Sequence, residues 1–278
     1  MSSNREAYFY ARKLKIPKSI IDFVLQEVNG FNHLELTKHF DDEIKNYRLF
    51  LSAIERYQNG EMIEYIFKKA YFLSTAFYVD KNVLIPRQET EDLVLKTLGF
   101  IKKVFGDKKI TIADVCTGSG CIGVSIAKQL PNNKYYFTDI SKGALRVAKK
   151  NANGLLKNVD YEILQGDMLE PLKNKKVDVI VCNPPYIEDV KTIDKRTWEQ
   201  EPHLALLAKP STYFYEKVLS EYRKIVNNKF LLAFEIGEDM VDEFMYHLLF
   251  EYCSNCKCFF ENDMYGKPRF LFVINKDV

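Results

Sequence analysis

The stretch best equipped for chemistry is Asp178-Val179-Ile180-Val181-Cys182-Asn183-Pro184-Pro185-Tyr186. Its apolar, β-branched part reads as a buried strand, and the prolines end it: Pro184 has no N–H, and Pro185 keeps the residue before it extended. The Asn183 side chain and the carbonyls of Asn183 and Pro184 are then left at a strand tip with hydrogen-bonding capacity to spare, beside the ring of Tyr186. A planar NH2 group suits that cluster, with two acceptors for its two hydrogens and an aromatic face to lie on. A strand closed by a proline turn would look the same by itself. The residues upstream separate the two readings.

Three earlier strand-like runs also end in polar or flexible residues. Residues 110–115 lead into Cys116-Thr117-Gly118-Ser119-Gly120, residues 134–137 into Asp139, and residues 161–164 into Gly166-Asp167. Small residues and glycines after the first run let the backbone approach a ligand, with a helix N-terminus behind it. Gly118, Gly120 and Gly123 fit the G-x-G-x-x-G spacing of dinucleotide-binding proteins, so a nicotinamide oxidoreductase is one reading. Asp139 can accept from ribose hydroxyls in either case. Asp114 places a second carboxylate near the polar end of the ligand, and Asp167 can meet an adenine amino group. Hydride transfer has no need for the NH2 acceptors at Asn183. Each aspartate alone could be a helix cap; together they read as a nucleotide-type site facing an amino acceptor.

These tips need a parallel sheet to align them, and strand–helix alternation from Lys109 onward predicts an α/β domain. Helices are predicted through Ile122, Ile126 and Leu130, behind Ser141 through Ala144, Leu145 and Ala148, and over residues 213–226. A fifth strand is predicted over residues 229–236, and a strand pair within residues 259–274 around Tyr265-Gly266-Lys267-Pro268. Before the α/β region the chain reads helical up to about Phe72. Ile20, Ile21, Val24, Leu25 and Val28 recur at helical spacing behind Pro17 and stop at Asn29-Gly30. Ile44, Tyr47, Leu51, Ile54 and Tyr57 repeat the pattern behind Asp41-Asp42 and stop at Asn59-Gly60. Residues 83–85 read as a short strand ended by Pro86, and Thr90 with its acidic neighbours as a helix start. The expected division is 1–75 helical domain, 76–108 linker hairpin and first helix, and 109–278 catalytic domain.

Composition narrows the class. Apolar residues make up 47% of 278, which excludes wholesale disorder, and 40 Lys+Arg against 38 Asp+Glu gives no global basic field for nucleic acid. Neither a membrane-length apolar run nor a signal-peptide core is present, so a cytoplasmic protein without membrane attachment is expected. Cys253, Cys256 and Cys258 lack a second Cys/His pair at metal spacing, and no metal is expected.

The residues from Asp114 to Gly120, Asp139, Asp167 and Asn183-Pro184-Pro185-Tyr186 resemble those of S-adenosylmethionine-dependent amino methyltransferases. Ile85-Pro86-Arg87-Gln88-Glu89-Thr90-Glu91, Glu201-Pro202-His203-Leu204-Ala205-Leu206 and Tyr265-Gly266-Lys267-Pro268-Arg269 narrow the resemblance to the HemK/PrmC family. That resemblance implies a Rossmann-like class I methyltransferase domain with a mostly parallel seven-stranded sheet and a small all-α N-terminal domain that recognises substrate. It implies methyl transfer to the glutamine side-chain nitrogen in the Gly-Gly-Gln motif of peptide chain release factors. The cofactor residues it implies are Asp114, Cys116, Thr117, Gly118, Ser119, Gly120, Asp139, Asp167 and Asn183. Asn183, Pro184 and Tyr186 would serve catalysis, and Pro185, Arg87 and Glu89 would join them in binding substrate. A monomer without stable nucleic-acid binding is expected. Cys116, Gln88, Met62 and Phe67 depart from the family pattern; Cys116 stands at a usual glycine and so is expected to take an ordinary negative φ. The alternatives are an amino methyltransferase acting on adenine or guanine in RNA or DNA, and a non-catalytic module that keeps the fold.

Overall fold

The chain was characterised as a computed structural model that describes residues 2–241 and 243–276; Met1, Asp242, Asp277 and Val278, which fall within the expected domains, lie outside the described residues. Two compact units divide between Lys69 and Ala70. In the first, α1 (Asn4–Lys13) begins at a capping box in which Ser3 and Glu6 satisfy each other's backbone N–H. Helix α2 (Lys18–Asn29) follows Pro17 and ends at Gly30, whose φ of 70° is the left-handed turn glycine adopts freely. Helices α3 (His33–Lys38), α4 (Tyr47–Gln58) and α5 (Ile63–Phe67) complete the unit. Ile21, Val24, Leu25, Phe50 and Ala53 are fully buried in its core.

Two helical expectations need correction. Helix α4 starts at Tyr47, because Asn46 accepts the Leu49 N–H, while Asp41 and Asp42 are engaged by Arg5 and His39. The helical stretch also ends before Phe72. Lys68 takes a left-handed φ of 53° that closes α5. The chain then turns into the hairpin β1 (Ala70–Phe72) and β2 (Thr75–Phe77), which falls in the second unit.

The second unit continues with α6 (Gln88–Phe105), β3 (Thr111–Val115), α7 (Cys121–Gln129), β4 (Lys134–Asp139), α8 (Lys142–Leu155), β5 (Asp160–Gln165) and β6 (Val177–Cys182). Then come α9 (Lys195–Gln200), α10 (Tyr213–Glu221), β7 (Val226–Glu235), α11 (Glu243–Cys253), β8 (Cys256–Asn262) and β9 (Pro268–Asn275). The seven-stranded sheet runs β5-β4-β3-β6-β7-β9-β8, parallel from β5 to β7, with β9 antiparallel to β7 and β8. Both faces are covered, so its central strands are near-continuous apolar runs. Ile112, Val179, Val181 and Leu231 pack on α6 and α7, whereas Ala113, Ile180, Cys182 and Leu232 pack on α10 and α11. Parallel pairing brings the C-terminal ends of β3, β4, β6 and β7 to one edge, where open α/β sheets bind ligands. Among the described residues no helix is long and apolar enough to cross a membrane.

Residues 83–85 form no strand. The Val83 N–H closes a turn on the Asp80 carbonyl at 3.1 Å and the Ile85 N–H goes to the Glu201 carboxylate at 3.3 Å, so neither enters a strand ladder. Helix α6 begins two residues before Thr90, with Arg87 as its N-cap. The fifth predicted strand starts earlier, at Val226, because α10 ends at Glu221 and a single tight turn follows.

Candidate active site

A cavity of about 340 Å³ opens at the C-terminal edge of the sheet. Its walls come from the loop after β3, the tips of β4 and β6, the turn after β5, residues 82–87, and the segments around Pro202 and Phe214. Asp139, Asp167 and Asn183 all line it, with Cys116, Thr117, Gly118, Ser119, Pro185 and Arg87.

The loop after β3 is held from below. Asp114 is buried (1% exposed), and its Oδ2 accepts from the Thr117 hydroxyl at 2.6 Å and the Gly123 N–H at 2.9 Å. Asp114 therefore does not face the ligand, as the sequence led us to expect; it anchors the loop from beneath and does not line the cavity. Burial pushes its pKa up to about 7, and its Oδ1 has no hydrogen-bond partner among the described residues. Gly123 is required here, since a Cβ would lie 2.4 Å from Phe137 Cε1 and 2.7 Å from Asp114 Oδ2. Cys116 takes φ +58°, not the negative value expected. Cys116, Gly118 and Gly120 all adopt positive φ, so the backbone turns at alternate residues and the fold imposes that turn on a cysteine. The Cys116 thiol, 3.5 Å from the Met168 sulfur, packs against the core beneath the loop.

The Asp139 carboxylate accepts the N–H of Gly118 on one oxygen and of Ser141 on the other, each at 2.9 Å. Burial raises its pKa above the usual carboxylate range, and those backbone bonds oppose the shift. Asp167 is ion-paired with Lys217. With Ile140, Met168 and Phe214 as apolar walls, two strand-end carboxylates suit a nucleoside carrying a ribose diol and an amino-bearing purine. The site thus fits the adenosyl cofactor implied by the sequence.

At the other end, Asn183 follows β6 directly, and its Nδ2 donates to Thr90 Oγ1 at 3.3 Å. Thr90 donates in turn to Glu235 Oε2 at 2.7 Å, and the Tyr186 hydroxyl donates to Glu235 Oε1 at 3.3 Å. Glu235 ends β7 and is 3% exposed, and burial raises its pKa. The Tyr186 ring is thereby turned toward Glu235, and neither it nor Pro184 lines the cavity. Arg87 meets the fully buried Glu201 carboxylate at 2.7 Å, which ties residues 85–87 to the segment before Pro202. Glu89 and Gly120 do not line the cavity.

Sequence reasoning missed Glu235 and the roles of Thr90 and Glu201. A carboxylate closing the apolar run Phe230-Leu231-Leu232-Ala233-Phe234 was the available signal, of the same kind that marked Asp139.

Residues 94–200 match the family described as Methyltransferase small domain. The chain is 34% identical over 264 residues to the release factor glutamine methyltransferase of Flavobacterium psychrophilum, covering 92% of this chain and 91% of the relative. It is 31% identical over 273 residues to the Mycoplasma mycoides protein of the same name, with 94% of each covered. Among solved structures it resembles a methyltransferase from Pyrococcus furiosus (TM-score 0.51, 15% identity, 73% of this chain and 90% of that one). It also resembles a human methyltransferase 10 domain containing protein (TM-score 0.52, 15% identity, 72% and 88%). At those identities the two structures support the fold.

Proposed function

The chain belongs to the release factor glutamine methyltransferases, and from that premise we propose that Asn183 holds the glutamine amide of a release factor for methylation. The protein is an enzyme of the S-adenosylmethionine-dependent class. When bound, S-adenosylmethionine supplies an electrophilic methyl on its sulfonium. Asp139 would take the ribose hydroxyls, Asp167 the adenine amino group, and the 116–119 loop would close on the polar end.

An amide nitrogen is a weak nucleophile because its lone pair is shared with the carbonyl. Asn183, which lines the cavity, would accept one of its hydrogens on Oδ1 and aim the nitrogen across it. It would also favour the positive charge that develops on nitrogen. Tyr186, tied to Glu235, would steady the strand tip behind Asn183, and the proton would leave to solvent after transfer. Arg87, which lines the cavity, would shape the entrance. A Gly-Gly approach leaves room for backbone in a narrow mouth. Discrimination among proteins would then fall to the helical unit, which exposes Phe9 and Leu34.

The observation that carries this reading is that Asn183 shares one cavity with Asp139 and Asp167. Labelled methyl transfer, with release factor, tRNA, rRNA and DNA offered in parallel, tests it. Label on the release factor glutamine alone is expected. Label on a nucleic acid with the glutamine bare would overturn it.

A further inference from the structure

We propose that Glu235 is a positioning residue that, through the Thr90 hydroxyl, determines which end of the Asn183 amide faces the acceptor. The inference rests on the amide-holding role of Asn183 and adds what orients it.

An asparagine side chain has a donor end and an acceptor end of nearly equal size, and only the acceptor end can receive a substrate N–H. Nothing in a strand tip by itself chooses between them. Here the choice is made behind the cavity. Both oxygens of Glu235 accept hydrogen bonds, from Thr90 and from Tyr186, and the Asn183 amide also faces the carboxylate, which only its donor end can do. The Thr90 proton is therefore committed to Glu235, and the lone pairs of Oγ1 are what Asn183 meets. Nδ2 must face Thr90, as observed at 3.3 Å, and Oδ1 is the end left for the substrate. Reversing the amide would set two acceptors against each other at a half-buried site, a loss comparable to leaving a hydrogen bond unmade.

The supports of this relay are rigid. Glu235 sits on β7, which pairs with β6 through Phe234 and Cys182, and the Tyr215 hydroxyl holds the Glu235 carbonyl at 2.8 Å. Thr90 lies in the first turn of α6. The relay thus spans three elements far apart in sequence, and its second branch to Tyr186 anchors the other side chain of the same tip.

The test measures single-turnover transfer of labelled methyl to a full-length release factor for Thr90→Val, Thr90→Ser, Glu235→Gln and Asn183→Ala, and for Glu235→Gln combined with Asn183→Ala. S-adenosylhomocysteine calorimetry accompanies each. Thr90→Val and Glu235→Gln should slow transfer by about tenfold or more while cofactor affinity stays within about threefold. Thr90→Ser should recover most of the rate, since it keeps the hydroxyl. The double variant should be no slower than Asn183→Ala alone, because residues that act as a unit are non-additive. Multiplied losses in the double variant, or a wild-type rate for Thr90→Val, would overturn the relay. If Glu235→Gln loses cofactor binding and so has not folded, the Thr90→Val and Thr90→Ser pair decides alone. A wild-type rate for Asn183→Ala would instead overturn the amide-holding role, which keeps the two failures distinguishable.

Discussion

At the cofactor end of the cavity, the polar groups come from short local segments and are held largely by backbone. Gly118 and Ser141 N–H groups grip Asp139, and Gly123 N–H grips Asp114. At the acceptor end the same task falls to side chains drawn from α6, β6 and β7, linked hydroxyl to carboxylate to amide. In the proposed function the difference follows from what each end would have to do. A ribose diol can be met by any well-placed carboxylate, whose two oxygens both accept. An NH2 group must be met by one chosen end of a two-ended side chain, and that takes a polarised chain of neighbours.

The sharpest way to break this contrast is at the acceptor end. Asn183→Ala should cut turnover by about two or more orders of magnitude, roughly 3 kcal/mol of transition-state stabilisation, with cofactor affinity within a few-fold. Turnover that fell only in step with affinity would merge the two ends into one. At the cofactor end, Asp139→Ala should abolish detectable S-adenosylhomocysteine binding, a loss of about 1.5–3 kcal/mol or more. It should also release the Gly118 and Ser141 N–H groups that the carboxylate holds. Unchanged calorimetry would remove Asp139 from the site.

Asp114 offers a pH test of the buried anchor. Its folded pKa of about 7 lies above the ordinary 3.8, so the folded state binds the proton more tightly. Its contribution to stability is fully present below the ordinary pKa and is lost as pH rises toward about 7. Asp114→Asn carries no such charge. Its melting midpoint relative to the wild type should therefore rise between about pH 4.5 and 7.5, and a flat difference would mean the carboxylate is not strained by burial. The smallest effect is expected at Cys116. Cys116→Gly relieves the left-handed backbone by about 1 kcal/mol and gives part of that back in lost contact with Met168, so a slight rise in the melting midpoint is expected. Cys116→Val should lower it.

The contrast also governs what could be read without a structure. Asp139, Asp167 and the 116–120 loop announce themselves because each lies within a few residues of a strand end, where periodicity and glycine spacing mark it. Asn183 is marked by the prolines that follow it. Thr90 was visible but read as a helix start, because its true partner, Glu235, is 145 positions away and no local pattern links them. Cys116 misled for a related reason. Side-chain preference argued for negative φ, but the anchored loop and the helix behind it outweighed a penalty of about 1–2 kcal/mol. Residues 83–85 looked like a strand because they are apolar; their N–H groups go to the Asp80 carbonyl at Val83 and the Glu201 carboxylate at Ile85, not to a strand ladder.

The strand order has a consequence for how the chain is born. Strands β3, β4 and β5 are consecutive, so one half of the sheet can close as synthesis proceeds, each strand meeting a partner one helix away. The other flank of β3 waits for β6, and β7 then waits for β9, which arrives after β8 and slots between them. The strand ends that carry Asp139 and Asp167 are therefore in place once residue 167 has left the ribosome, and the group that orients Asn183 only after residue 235. In between, a central apolar strand presents an unpaired edge, the surface on which nascent chains aggregate. The hazard of edge-to-edge pairing is greatest in that interval.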